Sequence, residues 1–323
     1  MNLRQLQYFI TIARLEHYTK ASEKLYVSQS NLSHSIKELE EELNVRLFMR
    51  QGRNIKLTKY GELFLPYATK ALKILDNGVA CLNDYVNPDT GTVVLSGFPS
   101  LASFITNLIV TYMSETNRVG VRFQFNQSAN YTALREQLLN GDVDLALSTV
   151  VEDPEIEKAL IGVHPLALIV SRENPLAEHD EVDLRDLEGE PFIAFDNNCE
   201  LRSFTDRLFG KLDIHPQISM ETAQDATMHG MIAAAHATAI MPYPLEPISD
   251  RLKVLKIKND IPKRQIYLSW NRERYMPPAA AYFRDFIIDN GKIFDEFLEA
   301  RGAGKYGDTV HFPGSGEEWK YEK

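Results

Sequence analysis

Cysteine is nearly absent from this chain of 323 residues: only Cys81 and Cys199 occur, far apart in the sequence. A disulfide framework is therefore excluded, and a reducing, cytoplasmic compartment is the expected one. No run of 18 apolar residues is present, which leaves no candidate for a membrane-spanning helix. The start, MNLRQLQYF, has no basic segment followed by an apolar stretch, so no signal peptide is expected. Neither a G-x-S-x-G nor a G-x-x-x-x-G-K-[ST] motif occurs, and hydrolase and P-loop chemistry lose their usual signatures. Asp142 and Asp144 in GDVDLAL form a carboxylate pair, but no His, Cys or third acid joins them. A turn followed by a buried strand accounts for them better than a metal site. No catalytic residue, metal ligand or cofactor is expected.

What remains is an ordinary globular composition, 44% hydrophobic and 25% charged, long enough for two or three domains. The net charge of −10 argues at first against nucleic acid, but it is unevenly spread. Residues 1–75 hold 12 Lys/Arg against 7 Asp/Glu, a net of +5, which leaves −15 for the rest. A basic module on an acidic body points to an anionic partner at one end.

The basic end has helical period. Leu3, Leu6, Phe9, Ile10 and Ala13 recur at spacings of three and four, the stripe of an amphipathic helix. A short second helix fits 19–25, with Thr19 as its cap and Ala21, Ser22 and Leu25 facing inward. Tyr26 and Val27 make a tight turn, and Ser28 caps a third helix. Leu32, Ile36, Leu39 and Leu43 form the buried face of that helix, so the three together predict a helix-turn-helix. The front turn of the third helix carries Gln29, Ser30, Asn31, Ser33 and His34, short polar groups suited to base edges and phosphate. Glu38, Glu40, Glu41 and Glu42 lie at the other end, away from a duplex.

Residues 46–62, RLFMRQGRNIKLTKYGE, alternate as a small hairpin, a wing with Arg50, Arg53 and Lys56 on it. Thr58 caps a helix over 59–86, about 42 Å long at 1.5 Å per residue. So long an amphipathic helix calls for a partner, most simply its twin in a dimer. Asn87 to Gly91 stops it. Beyond Gly91, strands are expected at 92–98, 121–127, 144–150, 159–172, 191–196, 217–223, 238–243, 252–257 and 265–270. Helices intervene at 100–114, 131–140, 201–212 and 224–235, and another closes the body. Such alternation predicts parallel α/β sheets. The tail from 301 to 323, rich in Gly and charge, is expected to be flexible.

These residues resemble the LysR-type transcriptional regulators. LRQLQYF (3–9), TKASEKLYVSQSNLSHSIKELEEELNVRLF (19–48), Arg50, Gly52 and LTKYGE (57–62) follow the family's DNA-binding module almost position by position. GDVDLALS (141–148), PLALIVSRENPLA (165–177) and MIAAAHATAIMP (231–242) are similar to its effector domain. The resemblance covers about residues 1–298. It implies an α/β protein with an all-α winged helix-turn-helix at 1–58, a dimerising linker helix at 59–90, and an effector-binding domain at 91–300. That domain would consist of two α/β subdomains like periplasmic binding proteins, the first of 91–163 and 268–300, the second of 164–267. The chain would cross between them near 163–167 and 267–270. A cytoplasmic regulator of transcription is implied, not an enzyme. Its partners would be promoter DNA, a small-molecule effector in the cleft, a second copy through the linker helix and, on assembly, a tetramer; contact with RNA polymerase is open to such a protein. Ser30 stands where the family usually has Pro, His34 where a contact residue such as Arg is usual, and His17 replaces the usual Ser, which changes the operator to be read. Ala235 and Ala237 occupy the family's usual glycines.

The expected DNA contacts are Gln29, Ser30, Asn31, Ser33, His34, Lys37 and Arg53. Effector contacts are expected where strands end and helices begin. Ser100 and Leu101 follow the first strand; Ser100 and the free N–H groups there would hold a carboxylate, a small organic anion, without any Arg. Gln127, Ser128 and Thr149 follow the next two strands, with Phe195, Asp196, Thr222 and Gln224 opposite. For Ser100, Ser128 and Thr222, simple helix capping is the competing role. Some family members sense oxidant through a cysteine in the region of Cys199, but no second cysteine lies nearby, which favours a silent thiol. The competing function is a solute-binding or enzymatic α/β protein whose N-terminal module serves assembly only; catalytic turnover of a bound ligand would favour it.

Overall fold

The computed structural model describes residues 1–51, 54–86, 90–116, 118, 120–128 and 130–302. The expected contact Arg53, the helix stop at 87–89 and the tail beyond 302 lie outside the described residues. The chain divides into two compact units, Met1–Asn83 and Asp84–Lys323.

In the first unit, α1 (Leu3–Leu15) opens with a capping box: Asn2 Oδ1 accepts from the Gln5 N–H at 3.0 Å, and Gln5 Oε1 accepts from the Asn2 N–H at 2.9 Å. The second helix, α2 (Tyr18–Leu25), starts one residue earlier than the spacing predicts, and Thr19 is not its cap. His17, in an extended conformation, presents Nδ1 to the Lys20 N–H at 3.5 Å, while the Thr19 hydroxyl donates to Gln29 Oε1 at 3.2 Å. Tyr26 turns in the left-handed region, and Ser28 caps α3 (Gln29–Leu43) by accepting from the Asn31 N–H. Leu32, Ile36 and Leu39 are fully buried against Phe9, Ile12 and Ala21, as the ladder predicts. The wing is β1 (Phe48–Gln51) paired antiparallel with β2 (Asn54–Leu57). The Thr58 hydroxyl accepts from the Gly61 N–H at the start of α4 (Lys59–Val86). Only glycine fits at position 61: a Cβ there would stand 2.3 Å from the Leu47 carbonyl oxygen.

The second unit holds two mixed sheets, each with its own core. The first lobe is built from β3 (Gly91–Gly97), α5 (Ala102–Thr116), β4 (Val121–Gln127), α6 (Tyr131–Asn140), β5 (Leu145–Ser148) and β6 (Ile156–Val163). The second comprises β7 (Leu166–Ser171), β8 (Glu181–Val182), β9 (Pro191–Phe195), α7 (Glu200–Leu212), β10 (Gln217–Thr222), α8 (Asp225–Ala235), β11 (Thr238–Pro242) and β12 (Leu252–Ile257). The chain then returns to the first lobe as β13 (Gln265–Asn271), α9 (Pro278–Asp289) and α10 (Ile293–Glu299). Strand order is β4-β3-β5-β13-β6 in one sheet and β10-β9-β11-β7-β12-β8 in the other.

Three expectations about this unit need correction. The sheets are not purely parallel: β13 runs antiparallel to β5 and β6, and β7 antiparallel to β11 and β12. Strands joined by helical crossovers come out parallel, whereas β7 and β13 arrive from the other lobe and run against their neighbours. Residues 159–172 are not one strand; the chain breaks at 164–165, and its halves enter different sheets. The second crossing falls at 258–264 rather than 267–270, because the whole of β13, Gln265 onward, pairs with β6. Each lobe buries aromatics at its centre, with Phe104, Tyr112 and Phe283 in the first and Phe192 and Phe209 in the second.

Candidate DNA interface and ligand cleft

At the front of α3, Gln29, Ser30, Asn31, Ser33, His34 and Lys37 are all exposed. The helix explains this: its buried stripe is taken by Leu32, Ile36 and Leu39, so the intervening positions face outward. Ser30 Oγ lies 3.1 Å from Ser28 Oγ, and Gln29 is steadied by Thr19. His34 Nε2 sits 3.2 Å from Glu38 Oε1, and Lys37 Nζ 3.4 Å from Glu41 Oε1. Exposed Arg50 and Lys56 add cationic groups on the wing. Of the four acids at the far end of the helix, Glu40 alone is buried. It is 7% exposed; Oε1 accepts from the N–H groups of Leu47 (2.8 Å) and Phe48 (3.1 Å), and Oε2 accepts from Arg46 (2.7 Å). The recognition helix is thereby bolted to the first strand of the wing.

In the second unit the two crossing segments run side by side: the His164 N–H donates to the Arg264 carbonyl at 2.9 Å. Their side chains meet as well, with Arg264 Nη1 3.0 Å from His164 Nδ1 and His164 Nε2 2.8 Å from the Tyr243 carbonyl. Burial, reinforced by the Arg264 charge, pushes the His164 pKa down to about 3. The ring is therefore neutral, with its proton on Nε2 donated to Tyr243 and Nδ1 accepting from the guanidinium.

Arg264 opens onto a cavity of about 200 Å³ between the lobes, walled by Phe98, Leu166, Phe195, Leu201, Phe204 and Tyr267 among others. Its Nη2 donates to Ser100 Oγ at 3.3 Å, and its guanidinium lies 5.4 Å from the centre of the Phe98 ring. No carboxylate forms an ion pair with it among the described residues, although Glu200, Asp225 and Cys199 lie within electrostatic range. Burial pulls its pKa down against the pull of those groups. The carboxyl of Asp225, in the first turn of α8, is largely buried; burial pushes its pKa up and Arg264 draws it down. Glu200, the first residue of α7, accepts a hydrogen bond from the Thr149 hydroxyl, a link between the two lobes. Cys199 also lines the cavity, and burial raises its pKa, so the thiol is held protonated. A second, larger hollow of about 560 Å³ adjoins the first and shares Pro99, Ser100, Asp225 and Pro242 with it.

Of the effector residues expected from the sequence, Ser100, Thr149 and Phe195 line the smaller cavity, and Gln127 and Gln224 the larger. Leu101 is fully buried in the first lobe's core, and its N–H is used by the Phe98 carbonyl. Ser128, Asp196 and Thr222 serve turns: Ser128 Oγ donates to the Asn130 carbonyl, Asp196 Oδ1 accepts from the Asn198 N–H, and Thr222 Oγ1 accepts from the Gln224 N–H. The place beside Ser100, expected from the sequence to lack Arg, is not free of it, since Arg264 donates to Ser100 itself. Arg264 sits in KNDIPKRQIY, between two expected strands, and is not among the expected contacts; only the position of the second crossing would have exposed it.

Residues 3–62 match the family model described as "Bacterial regulatory helix-turn-helix protein, lysR family", and 87–292 match "LysR substrate binding domain". The HTH-type transcriptional regulator YybE of Bacillus subtilis (strain 168) is 33% identical over 294 residues, spanning 90% of this chain and 99% of the relative. Among solved structures, full-length CbnR complexed with its target DNA aligns at a TM-score of 0.70 with 24% identity, covering 89% of this chain and 99% of CbnR. The effector-binding domain of QuiR in complex with shikimate aligns at 0.57 with 29% identity, covering 63% of this chain and 98% of that domain.

Proposed function

Because the chain belongs to the LysR family of bacterial transcriptional regulators, we propose that α3 and the wing read a promoter sequence while the Arg264 cleft takes a small organic anion that modulates this binding. The protein is a DNA-binding regulator with an effector-binding domain, and no enzyme. Gln29 and Ser33 are our leading base contacts. Both are exposed on the front turns of a helix whose back is packed, and Gln suits the paired donor and acceptor of adenine. Ser30, Asn31, His34 and Lys37 extend the surface toward base and phosphate.

One observation carries the effector reading: a half-buried guanidinium at the hinge faces a cavity without an ion-pair partner among the described residues. A half-buried cation in that state favours an incoming carboxylate. The shikimate bound by QuiR is a carboxylate of fitting size, and it supports the chemical class rather than the compound. A ligand touching Ser100 and Thr149 on one lobe and Phe195 on the other would favour one setting of the lobes, to the extent that it binds that setting better. Self-association through α4 is supported by Leu63, Ile74, Leu75, Val79 and Leu82, all exposed along that helix.

Fluorescence anisotropy with a labelled fragment from upstream of the protein's own gene tests the DNA reading. A sequence-selective complex that weakens steeply with salt is expected. Binding that ignores both sequence and salt would sink it.

A further inference from the structure

The cleft lining carries two cations, Arg264 and Lys263, and two carboxylates, Glu200 and Asp225; of these, Arg264 and Asp225 are complementary and do not meet. Arg264 is a half-buried cation whose side-chain hydrogen bonds go to the neutral groups His164 and Ser100. Asp225 is a largely buried carboxylate with no side-chain hydrogen bond or ion pair to another described residue. They feel each other electrostatically, yet they are too far apart to form an ion pair. The other carboxylate, Glu200, is already engaged by Thr149. A plain carboxylate ligand would satisfy Arg264 but bring a second negative charge beside Asp225. A plain amine would do the reverse. Thr149, Cys199, Lys263 and Gln265 also line the cavity, and the rest of its wall is apolar and aromatic, with Phe98, Phe195, Leu201 and Phe204.

We propose that the effector is a zwitterion, an α-amino acid with an apolar side chain, whose carboxylate lies on Arg264 and Ser100 and whose ammonium group lies on Asp225. This rests on the organic-anion reading and narrows it. The ligand completes two half-made ion pairs at once, and each charge gains a partner at hydrogen-bonding distance. Ammonium and carboxylate borne on one carbon keep the ligand small enough for a cavity of about 200 Å³ that both protein groups line. The side chain then fills the aromatic wall between the lobes, so both lobes contribute to one bound molecule.

The test is a thermal-shift and calorimetric screen of the full chain against the standard α-amino acids. Phenylalanine and leucine are each paired with their 2-oxo acids and with the corresponding amines lacking the carboxylate; shikimate and benzoate serve as simple anions. The expected result is binding of an apolar amino acid with a discrimination of roughly 30-fold or more against its 2-oxo acid. Asp225→Asn is expected to reverse that preference while leaving the unliganded melting temperature near wild type. If the variant does not fold, the wild-type comparison alone decides. Equal or better binding of the 2-oxo acids, or a response to shikimate or benzoate with silence toward every amino acid, overturns the zwitterion and leaves the organic-anion reading standing. Silence toward every carboxylate overturns both. A discrimination that persists unchanged in Asp225→Asn overturns the assignment of the ammonium to Asp225.

Discussion

Replacing Glu40 by alanine should unseat the wing from the recognition helix, and the size of the effect follows from three hydrogen bonds. Oε1 satisfies the Leu47 N–H, which belongs to a fully buried residue, and the half-buried Phe48 N–H. Removing the carboxylate leaves both without an acceptor. A buried amide left unpaired costs about 1–3 kcal/mol, and the second, partly solvated one less, so the loss should be about 2–4 kcal/mol. The Arg46 pair adds little, since that side chain is 70% exposed. For a unit of this size, about 4–8 °C of melting temperature accompanies each kcal/mol. Glu40→Ala should therefore lower the N-terminal transition by about 8–32 °C. Glu40→Gln keeps an oxygen where both amides already point and should lose only about 1 kcal/mol, the charge-assisted share. Differential scanning calorimetry of the full chain, with the N-terminal transition identified by its upward shift on adding promoter DNA, reads both variants. A Glu40→Ala protein within about 0.5 kcal/mol of wild type refutes the account of an acceptor shared by two amides. A Glu40→Gln variant as damaged as Glu40→Ala would show that charge, not acceptor placement, does the bracing.

The remaining predictions concern the DNA surface, two titrating groups and one glycine. Gln29→Ala should weaken operator binding by about 1–3 kcal/mol in anisotropy titrations without changing the melting temperature, whereas Lys37→Ala should mainly flatten the salt dependence. His164 has a depressed pKa, about 3, so the folded state resists a proton that the unfolded chain takes up below the ordinary value of 6.5. Its contribution is whole above pH 6.5 and is lost as pH falls toward 3, at about 1.4 kcal/mol per pH unit, and His164→Gln should flatten the acid limb of melting temperature measured between pH 7 and 5. Asp295 titrates the other way: burial, with Glu299 nearby, raises its pKa from 3.8 to about 6. Stability from its protonated form is full below pH 3.8 and is lost as pH rises through 6, so Asp295→Asn should remove that decline and raise the melting temperature at pH 7. Gly61→Ala should cost about 1–3 kcal/mol by driving a methyl into the Leu47 carbonyl, checked by urea unfolding.

The parts of the molecule that follow from periodicity were legible in the sequence. Leu32, Ile36 and Leu39 define α3, Ser28 caps it, and the alternation around Ile55 marks the wing. What escaped is what periodicity does not encode. A histidine cap at His17 is hidden because its side chain competes poorly, by type, with the threonine two residues on. Glu40 reads as one more acid in a run of acids, since nothing local says that the backbone of residues 47 and 48 will come to meet it. Strand direction is likewise silent in a hydrophobic pattern, so β13 could not be recognised as an antiparallel insertion. The cleft suffered most: Ser100, Thr149 and Phe195 were identifiable as strand-end residues, but Arg264 and Asp225 gain meaning only when both crossing segments lie together.

The interleaving of β13 between β5 and β6 has a consequence for how the polypeptide comes off the ribosome. Those two neighbours in sequence cannot bond to each other; the slot between them is filled by residues made more than a hundred positions after β5. At about 5–20 residues per second, the nascent first lobe waits roughly 5–20 s with two open strand edges while the second lobe emerges and completes its own sheet. Within the second unit, ordered assembly thus runs inside out, the inserted lobe before the lobe that flanks it. Premature termination after Ile257 but before Gln265 would leave a finished second lobe attached to an unclosed first one, the kind of product that chaperones and proteases take first.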